Sequence, residues 1–518
     1  MKKRILALAF AATAALTLGA CNDNKFLTET PIDFVGPGNF YNNATDALAA
    51  VNGAYAGLEN TTGSNYYGGL FVMLVEFPTE MQTPYLSAGN ERSLVDNYTF
   101  TPSHNYIYQS WLGAYSIINR ANGVIARVPG INMDATLRDR IVGEAKFLRA
   151  LNYFNLVRLF GGVPLETAET NSLDSLQKPR ATTADVYALI VQDLTDAIKV
   201  LPKGSTYGSS DIGRASRGAA KSLLAKVYIQ RAAVGGGTPA DYQSALTQLQ
   251  DVDATEGYSL VANFSDLFDM KHEVNSEVIF DIQCTRITGA GCHVSNQVAP
   301  RNSNYGTSQN GSFTAEQPFY NEFVVADKRR VATWQLSFVN KAGAVILWDS
   351  TQTASKPYGA DTPYMHKFLD SLSTTDDEAN YIILRYGDNL LLKSEAINEI
   401  SGPTAAAYAP INAVRARAGL PALLAGLSKS AFKDSVFHER RLELAMEGPN
   451  GYFDSQRNWL WAKTRIEASM ALGALNKFKN NKYPKFQTTL IDKFMLMPIP
   501  QRAIDINPQL VGKQNPGW

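Results

Sequence analysis

The feature that most restricts how this chain can fold is a succession of apolar residues at three- and four-residue spacing, interrupted by Gly and Pro, over residues 44–58, 107–128, 133–160, 182–201, 217–233 and 240–252. As a helix each segment carries one apolar stripe, and that stripe has to be buried against a neighbour. The same spacing returns at 384–400, 403–418 and 429–446, after which the chain closes with a Pro-punctuated tail. Between the two helical stretches the pattern changes to short β-prone runs, 278–283 and 345–348, set among Gly, Ser and Asn. The pattern predicts a mainly α protein, a helix-pair scaffold with a loop-rich, minor-β region that would carry a ligand site. The expected divisions are a helical region at 44–257, a loop-rich region at 258–383 and a second helical region at 384–518.

The alternation of small and large residues in Trp111, Gly113, Ala114 and Tyr115, and again over 145–150, resembles tetratricopeptide packing, although no clean period of about 34 residues is present. Trp111, Phe147 and Phe154 read as core. Arg149, Arg415 and Arg417 on amphipathic helices read as partners of carboxylates or carbonyls, and Gly161-Gly162 before Pro164 reads as a helix stop that needs a positive φ.

The N-terminus has a positive n-region, Lys2, Lys3 and Arg4, followed by an apolar run over 5–15 that is too short to span a bilayer. It leads into Leu18-Gly19-Ala20-Cys21, the lipobox pattern cut before a cysteine that carries diacylglycerol. Residues 1–20 are expected to be a signal peptide, Cys21 the lipidated residue, and 21–43 a tether. No other run approaches the roughly 20 apolar residues of a membrane helix.

Lys+Arg and Asp+Glu are equal at 48 each, so no long-range field attracts nucleic acid or a strongly charged polymer. The 24 Tyr and 6 Trp beside many Asn, Gly and Ser suit an uncharged, hydroxyl-rich ligand. Cys284 and Cys292 flank a Gly-containing turn; a disulfide and two buried thiols read alike at this spacing.

Sequence motifs for catalysis fail on inspection. His104, His272, His293, His366 and His438 are not at metal-ligand spacing, and the adjacent Cys292 and His293 are poorly placed to share a tetrahedral ion. His438-Glu439 opens like a zincin helix, but Leu442 stands where the second histidine must be. There is no nucleophile elbow, and Gly235-Gly236-Gly237 lacks the lysine of a phosphate loop. Glu439, Glu443 and Glu447 with Arg440 and Arg441 read as structural ion pairs along one helix. No cofactor is expected; a calcium ion is left open with no loop motif behind it.

Taken in order, several blocks resemble the SusD/RagB family: DALAAVNGAY at 46–55, INRAN at 118–122, GEAKFLRA at 143–150, VRLFGGVPL at 157–165, GRASRGAAKSLLAK at 213–226, LRYGDNLLL at 384–392, INAVRARAGL at 411–420, ERRLELAMEG at 439–448, and an ending with PIPQ at 498–501 and QNPG at 514–517. Gly387-Asp388 departs from the Ala-Glu usual in the family, and Pro449-Asn450-Gly451 from its Arg-Trp-like pair. The resemblance implies an outer-membrane lipoprotein that faces the cell exterior, binds a nutrient, usually an oligosaccharide, and passes it to a SusC-like barrel transporter driven by TonB. A peptide ligand is the alternative within the family, and a glycan-acting enzyme a more distant one.

The family's ligand aromatics follow no transferable motif, so the site is placed on chemistry. Sugar C–H faces stack on flat rings, and hydroxyls need amide or guanidinium partners. The expected contacts are exposed loop residues: Tyr66, Tyr67, Tyr85, Asn90, Arg92, Asn302, Asn304 and Tyr305. Trp334 and Trp348 read instead as buried strand positions.

Overall fold

A computed structural model describes residues 40–59, 66–84, 91–170, 177–287, 291–307, 309–348, 363–373, 376–447, 450–474 and 492–518. The signal peptide, Cys21 and the tether as far as residue 39 lie outside the described residues, as do Tyr85 and Asn90.

The long helices are α1 (Ala44–Ala56), α2 (Asn105–Arg127), α3 (Ala135–Phe160), α4 (Thr183–Val200), α5 (Arg217–Val234), α6 (Ala240–Thr255), α7 (Tyr386–Ser401), α8 (Ala405–Arg417) and α9 (Lys429–Leu444). Local chemistry sets their ends. Asn43, Asp134, Thr182, Ser216 and Ser428 each accept a first-turn backbone N–H, and Thr182 with Asp185 forms a reciprocal capping box. Helix α3 stops at Gly161, whose φ of +71° suits glycine, and a Cβ on Gly162 would sit 2.1 Å from the Ala181 carbonyl oxygen.

Each helix packs on the next from α1 through α6, and α6 then packs on α7, which carries α8 and α9. The array therefore continues across the intervening segment, which is an insertion into one scaffold rather than a link between two. The seven-residue helix α10 (Gly451–Arg457) and α11 (Trp459–Ala474) occupy the stretch read from sequence as a tail. The seven residues of α10 carry too few turns to establish a period, a reason that does not extend to the 16 residues of α11. At the other boundary, residues 384–385 belong to a strand rather than to the start of α7.

Among the described residues three small antiparallel sheets are formed, by the insertion together with β1 from the N-terminal part. One has the order β1 (Gln82–Pro84), β3 (Phe313–Ala315), β7 (Tyr364–Met365), β4 (Trp334–Gln335). Strand β2 (Val278–Ile282) pairs with β8 (Tyr381–Arg385), and β5 (Ser337–Val339) with β6 (Val345–Leu347). Cys284 and Cys292 are joined as a disulfide, with Cα atoms 5.5 Å apart.

The main core runs without a break from the helices into this region, with Phe147 of α3 edge-on to Phe280 of β2 at 4.9 Å. Trp111, Phe147 and Phe154 are buried in it. Arg149 makes a bidentate pair with Asp193, at 2.8 and 2.7 Å, and adds Asn122 at 2.8 Å.

Where α7, α8, α9 and the insertion meet, the core becomes ionic. Arg385 reaches Glu277 at 2.8 Å, Glu443 at 2.6 Å and Glu447, all fully buried. Arg417 joins Glu277 and Glu443; Arg329 joins Asp327, Glu439 and Glu443; and Lys367 donates to Glu447 at 2.6 Å. Burial alone pushes the Glu443 carboxyl up, but Arg417, Arg385 and Arg329 overcome it and hold the group well below the usual carboxylate range. Glu439 and Glu443 of α9 do form structural ion pairs, but with partners on other elements, and Glu447 lies past the end of the helix, beyond Met446 with φ of +62°, rather than along the same helix as expected. Beside them Asp388 takes Lys226 at 2.8 Å and Arg440 at 2.7 Å.

Candidate functional site

Tyr66 and Tyr67 are not exposed. They lie in a turn (Tyr66–Leu70) that runs directly into the apolar helix Phe71–Glu76, and each is 1% exposed. Tyr66 stacks on Phe71 at 4.8 Å, Tyr67 stands edge-on to it at 5.1 Å, and both hydroxyls accept from Asn155 Nδ2, at 3.0 and 2.6 Å. The chain kinks at Gly69 and passes straight into the core. Because Asn155 satisfies the hydroxyls inside the protein, the rings need no water and offer no face to a ligand. Burial pushes the Tyr67 phenol up to about 12.

The remaining described candidates converge on the insertion. Residues 302–304 add an edge to the β5–β6 hairpin: the Asn302 carbonyl accepts from Lys341 N–H at 2.9 Å, Ser303 bridges Asn340, and Asn304 N–H donates to Val339 O at 2.8 Å. On the other side, Gly306 and Thr307 donate to Ser371 and Ser373 carbonyls at 2.9 Å each. A Cβ on Gly306 would fall 1.7 Å from the Ser373 carbonyl oxygen, so glycine permits this closeness. Asn302, with φ of +61°, takes the left-handed turn that asparagine tolerates. The loop is thus held on both sides while Asn304 stays exposed and Asn302 and Tyr305 half-buried.

Tyr305 accepts through its hydroxyl from Gln335 Nε2 at 3.1 Å. Burial pushes its pKa up, and the bond from Gln335 partly offsets this. Trp348 meets the next residue along, donating its backbone N–H to Leu336 O at 2.9 Å, and its half-buried ring stands edge-on to Tyr320 at 4.5 Å. Tyr305 thus meets this segment through the Gln335 side chain, and Trp348 through the Leu336 backbone. Trp334 is buried, as its neighbours suggested, whereas Trp348 lies just past the end of β6 at the surface. Sequence reading passed over Gln335 and Trp348; the alternating runs around Asn340–Gly343 marked a hairpin whose outward face could have drawn notice.

Arg92 borders the same segment further on. Its guanidinium donates to Ser312 Oγ at 2.6 Å and Gln297 Oε1 at 3.5 Å, and Asn310 meets Asn296 at 3.0 Å. The structure brings Arg92 and Asn302–Tyr305 to one connected surface and leaves Tyr66 and Tyr67 beneath it.

This surface offers amide donors and acceptors beside aromatic faces, which suits stacking and hydrogen bonding to a polyol. Residues suggestive of catalysis are occupied elsewhere. His438 faces Glu322 at 3.3 Å, Glu439 is held by Arg329 and Arg415, and His293 lies 3.3 Å from Asp376. Among the described residues no three His, Cys, Asp or Glu side chains gather as a metal set, and no helix is long and apolar enough to cross a membrane.

Comparison with known proteins fits this architecture. The family model described as the SusD family matches residues 225–518, more than half of the chain. The chain belongs to the SusD family. A second model, described as starch-binding associating with outer membrane, matches residues 55–229 of this SusD-family chain. SusD-like protein P2 of Formosa agariphila is 26% identical over 496 residues, covering 86% of this chain and 94% of that protein. Among solved structures, a SusD homolog from Bacteroides thetaiotaomicron superimposes with a TM-score of 0.79 at 25% identity, covering 93% and 98% of the two chains. A laminarin-binding SusD-like protein superimposes with a TM-score of 0.73 at 25% identity, covering 92% and 100%. The mainly helical, SusD-like fold expected from sequence is the one observed.

Proposed function

We propose that this protein is an outer-membrane lipoprotein, anchored through Cys21 and facing the cell exterior, which captures a neutral oligosaccharide and passes it to a SusC-like TonB-dependent transporter. The observation that carries the ligand class is the half-buried Tyr305 ring, bonded to the Gln335 amide, beside the amides of Asn302 and Asn304 on one loop held from both sides. Aromatic faces beside planar amides recognise sugar C–H faces and hydroxyls without charge. The likeness to a laminarin-binding protein over nearly the whole chain supports the same ligand class. On this reading the protein acts by binding and not by catalysis, and Glu439 and Glu443, the acids the sequence offers beside His438, are committed to guanidiniums.

The test is isothermal titration of the full chain in detergent with laminarin and starch oligosaccharides, with acidic oligosaccharides and short peptides as further arms. Saturable binding of a neutral glycan, weakened by Tyr305→Ala and by Trp348→Ala, is the expected result. Binding of peptides alone would replace the glycan reading with a peptide-capturing one. Co-purification with a barrel transporter, lost on Cys21→Ala only where membrane attachment is lost, tests the partner and the anchor.

A further inference from the structure

Near the end of α3 lies a buried cation with which no carboxylate among the described residues forms an ion pair. Arg158 is 4% exposed and clamped between the rings of Phe154 and Phe453, each 3.8 Å from its guanidinium carbon. Its bonds go to neutral acceptors, Nε to Phe154 O at 3.2 Å and Nη2 to Asn155 Oδ1 at 2.7 Å. Among the described residues no carboxylate pairs with it, whereas the equally buried Arg329, Arg385, Arg440 and Arg457 each hold at least one. Residues 475–491 contain four Lys and no Asp or Glu, so they bring no negative charge to this part of the chain. Burial lowers the Arg158 pKa to about 9, which leaves the group cationic at neutral pH. A buried charge without an opposite charge is costly, and an arriving anion would relieve that cost.

Arg158 lines a cavity of about 400 Å³ enclosed by α3, α4, α5 and the C-terminal segment from Asp492 to Pro516. The volume lies in the range of small-molecule sites. Tyr187 lines it too, 2% exposed and with no hydrogen bond to its hydroxyl among the described residues. From the other wall comes Lys493, whose ammonium lies over the Trp518 ring at 4.1 Å; its neighbour Asp492 is taken up by Lys463 at 3.7 Å and the Trp459 indole at 2.9 Å. Val157, Val234 and Leu496 give the cavity an apolar wall, while Thr183, Gln230, Gln456 and Asn515 add neutral polar groups that could meet hydroxyls.

We infer that this cavity is a binding site for a carboxylate ligand of monosaccharide size, an acidic sugar, whose carboxylate is held by Arg158 and the Tyr187 hydroxyl. The planar guanidinium fork matches a carboxylate, and the apolar wall with room beyond the anion suits a sugar ring better than a bare inorganic ion. This site is distinct from the surface around Tyr305 and stands whether or not that surface binds glycan.

The test compares thermal unfolding and isothermal titration of the full chain with sodium glucuronate, glucose and inorganic phosphate at matched ionic strength. Glucuronate should raise Tm and bind one to one, with glucose and phosphate showing neither effect. Tyr187→Phe should weaken glucuronate by about tenfold, as expected for a hydrogen bond to a charged group, with Tm of the free protein unchanged. Arg158→Met should abolish binding; should that variant fail to fold, Tyr187→Phe decides. Tyr305→Ala should leave glucuronate binding intact, so that failure here and failure of glycan capture are read separately. Absence of binding by glucuronate, binding by phosphate alone, or wild-type glucuronate affinity in folded Arg158→Met or in Tyr187→Phe would each overturn the inference.

Discussion

The ionic seam around Arg385 and the surface around Tyr305 are both polar regions of the same insertion boundary, yet they are built in opposite ways. In the seam every acid is met by a cation on another element, and side chains are fully buried. At the surface the amides and rings are held in place by backbone bonds of their own loop, leaving Asn304 exposed and Tyr305 half-buried. The first arrangement uses its polar groups to join helices to the insertion; the second leaves the Asn304 side chain open to solvent. Polarity alone therefore says little about function, and the decisive property is whether a group's partners are already present.

The strongest way to break this contrast is to remove a seam cation. Arg385→Met should cost about 3–5 kcal/mol, because it leaves Glu277, Glu443 and Glu447 short of a buried partner. Chemical denaturation reads this directly, and a change below 1 kcal/mol would show that the seam does not join the scaffold.

A subtler probe is Asp377, fully buried in the insertion, whose Oδ2 accepts from Ser295 N–H at 2.6 Å and whose other oxygen has no partner. Burial pushes its pKa up to about 8. The folded protein thus retains a proton that the unfolded chain loses near pH 4, and stability falls as pH rises from about 4 to 8. Glu76, pushed up to about 8 by burial, has the same sign. Asp377→Asn should flatten the slope of Tm against pH across this window, and an unchanged slope would assign the effect elsewhere.

Tyr67→Phe tests the boundary between the two kinds of region. Losing the bond from Asn155 should cost about 1 kcal/mol and leave glycan binding untouched. Tyr305→Ala should do the reverse, weakening glycan by about three- to tenfold with little change in Tm. If Tyr67→Phe weakened binding instead, the buried tyrosines would have to reach the ligand.

The helices were legible because apolar spacing and caps are local. Thr182 with Asp185, and Gly161 with its positive φ, fall where the chain alone places them. Arg149 and Arg417 were readable as paired, though not their partners, since Asp193 and Glu277 lie far off in sequence. The site was only partly readable for the same reason. Tyr66-Tyr67-Gly68-Gly69 has the composition of an exposed loop, and only the distant Asn155 explains why it is buried. Asn302–Tyr305 was singled out by composition as a surface loop and Asn304 does lie exposed there, whereas the bond from Gln335 to Tyr305 joins residues 30 apart that no local pattern connects.

The antiparallel pairing of β2 with β8 has a consequence for changes of length in the insertion. The two strands hold the entry and exit of the insertion side by side, while α6 already rests on α7. Whatever the chain does between residues 283 and 380 begins and ends at the same doorway, so a change of length in its outer loops need not part α6 from α7, whereas Arg329 and Lys367 fix its inner side to the seam like the hinge leaf of a door.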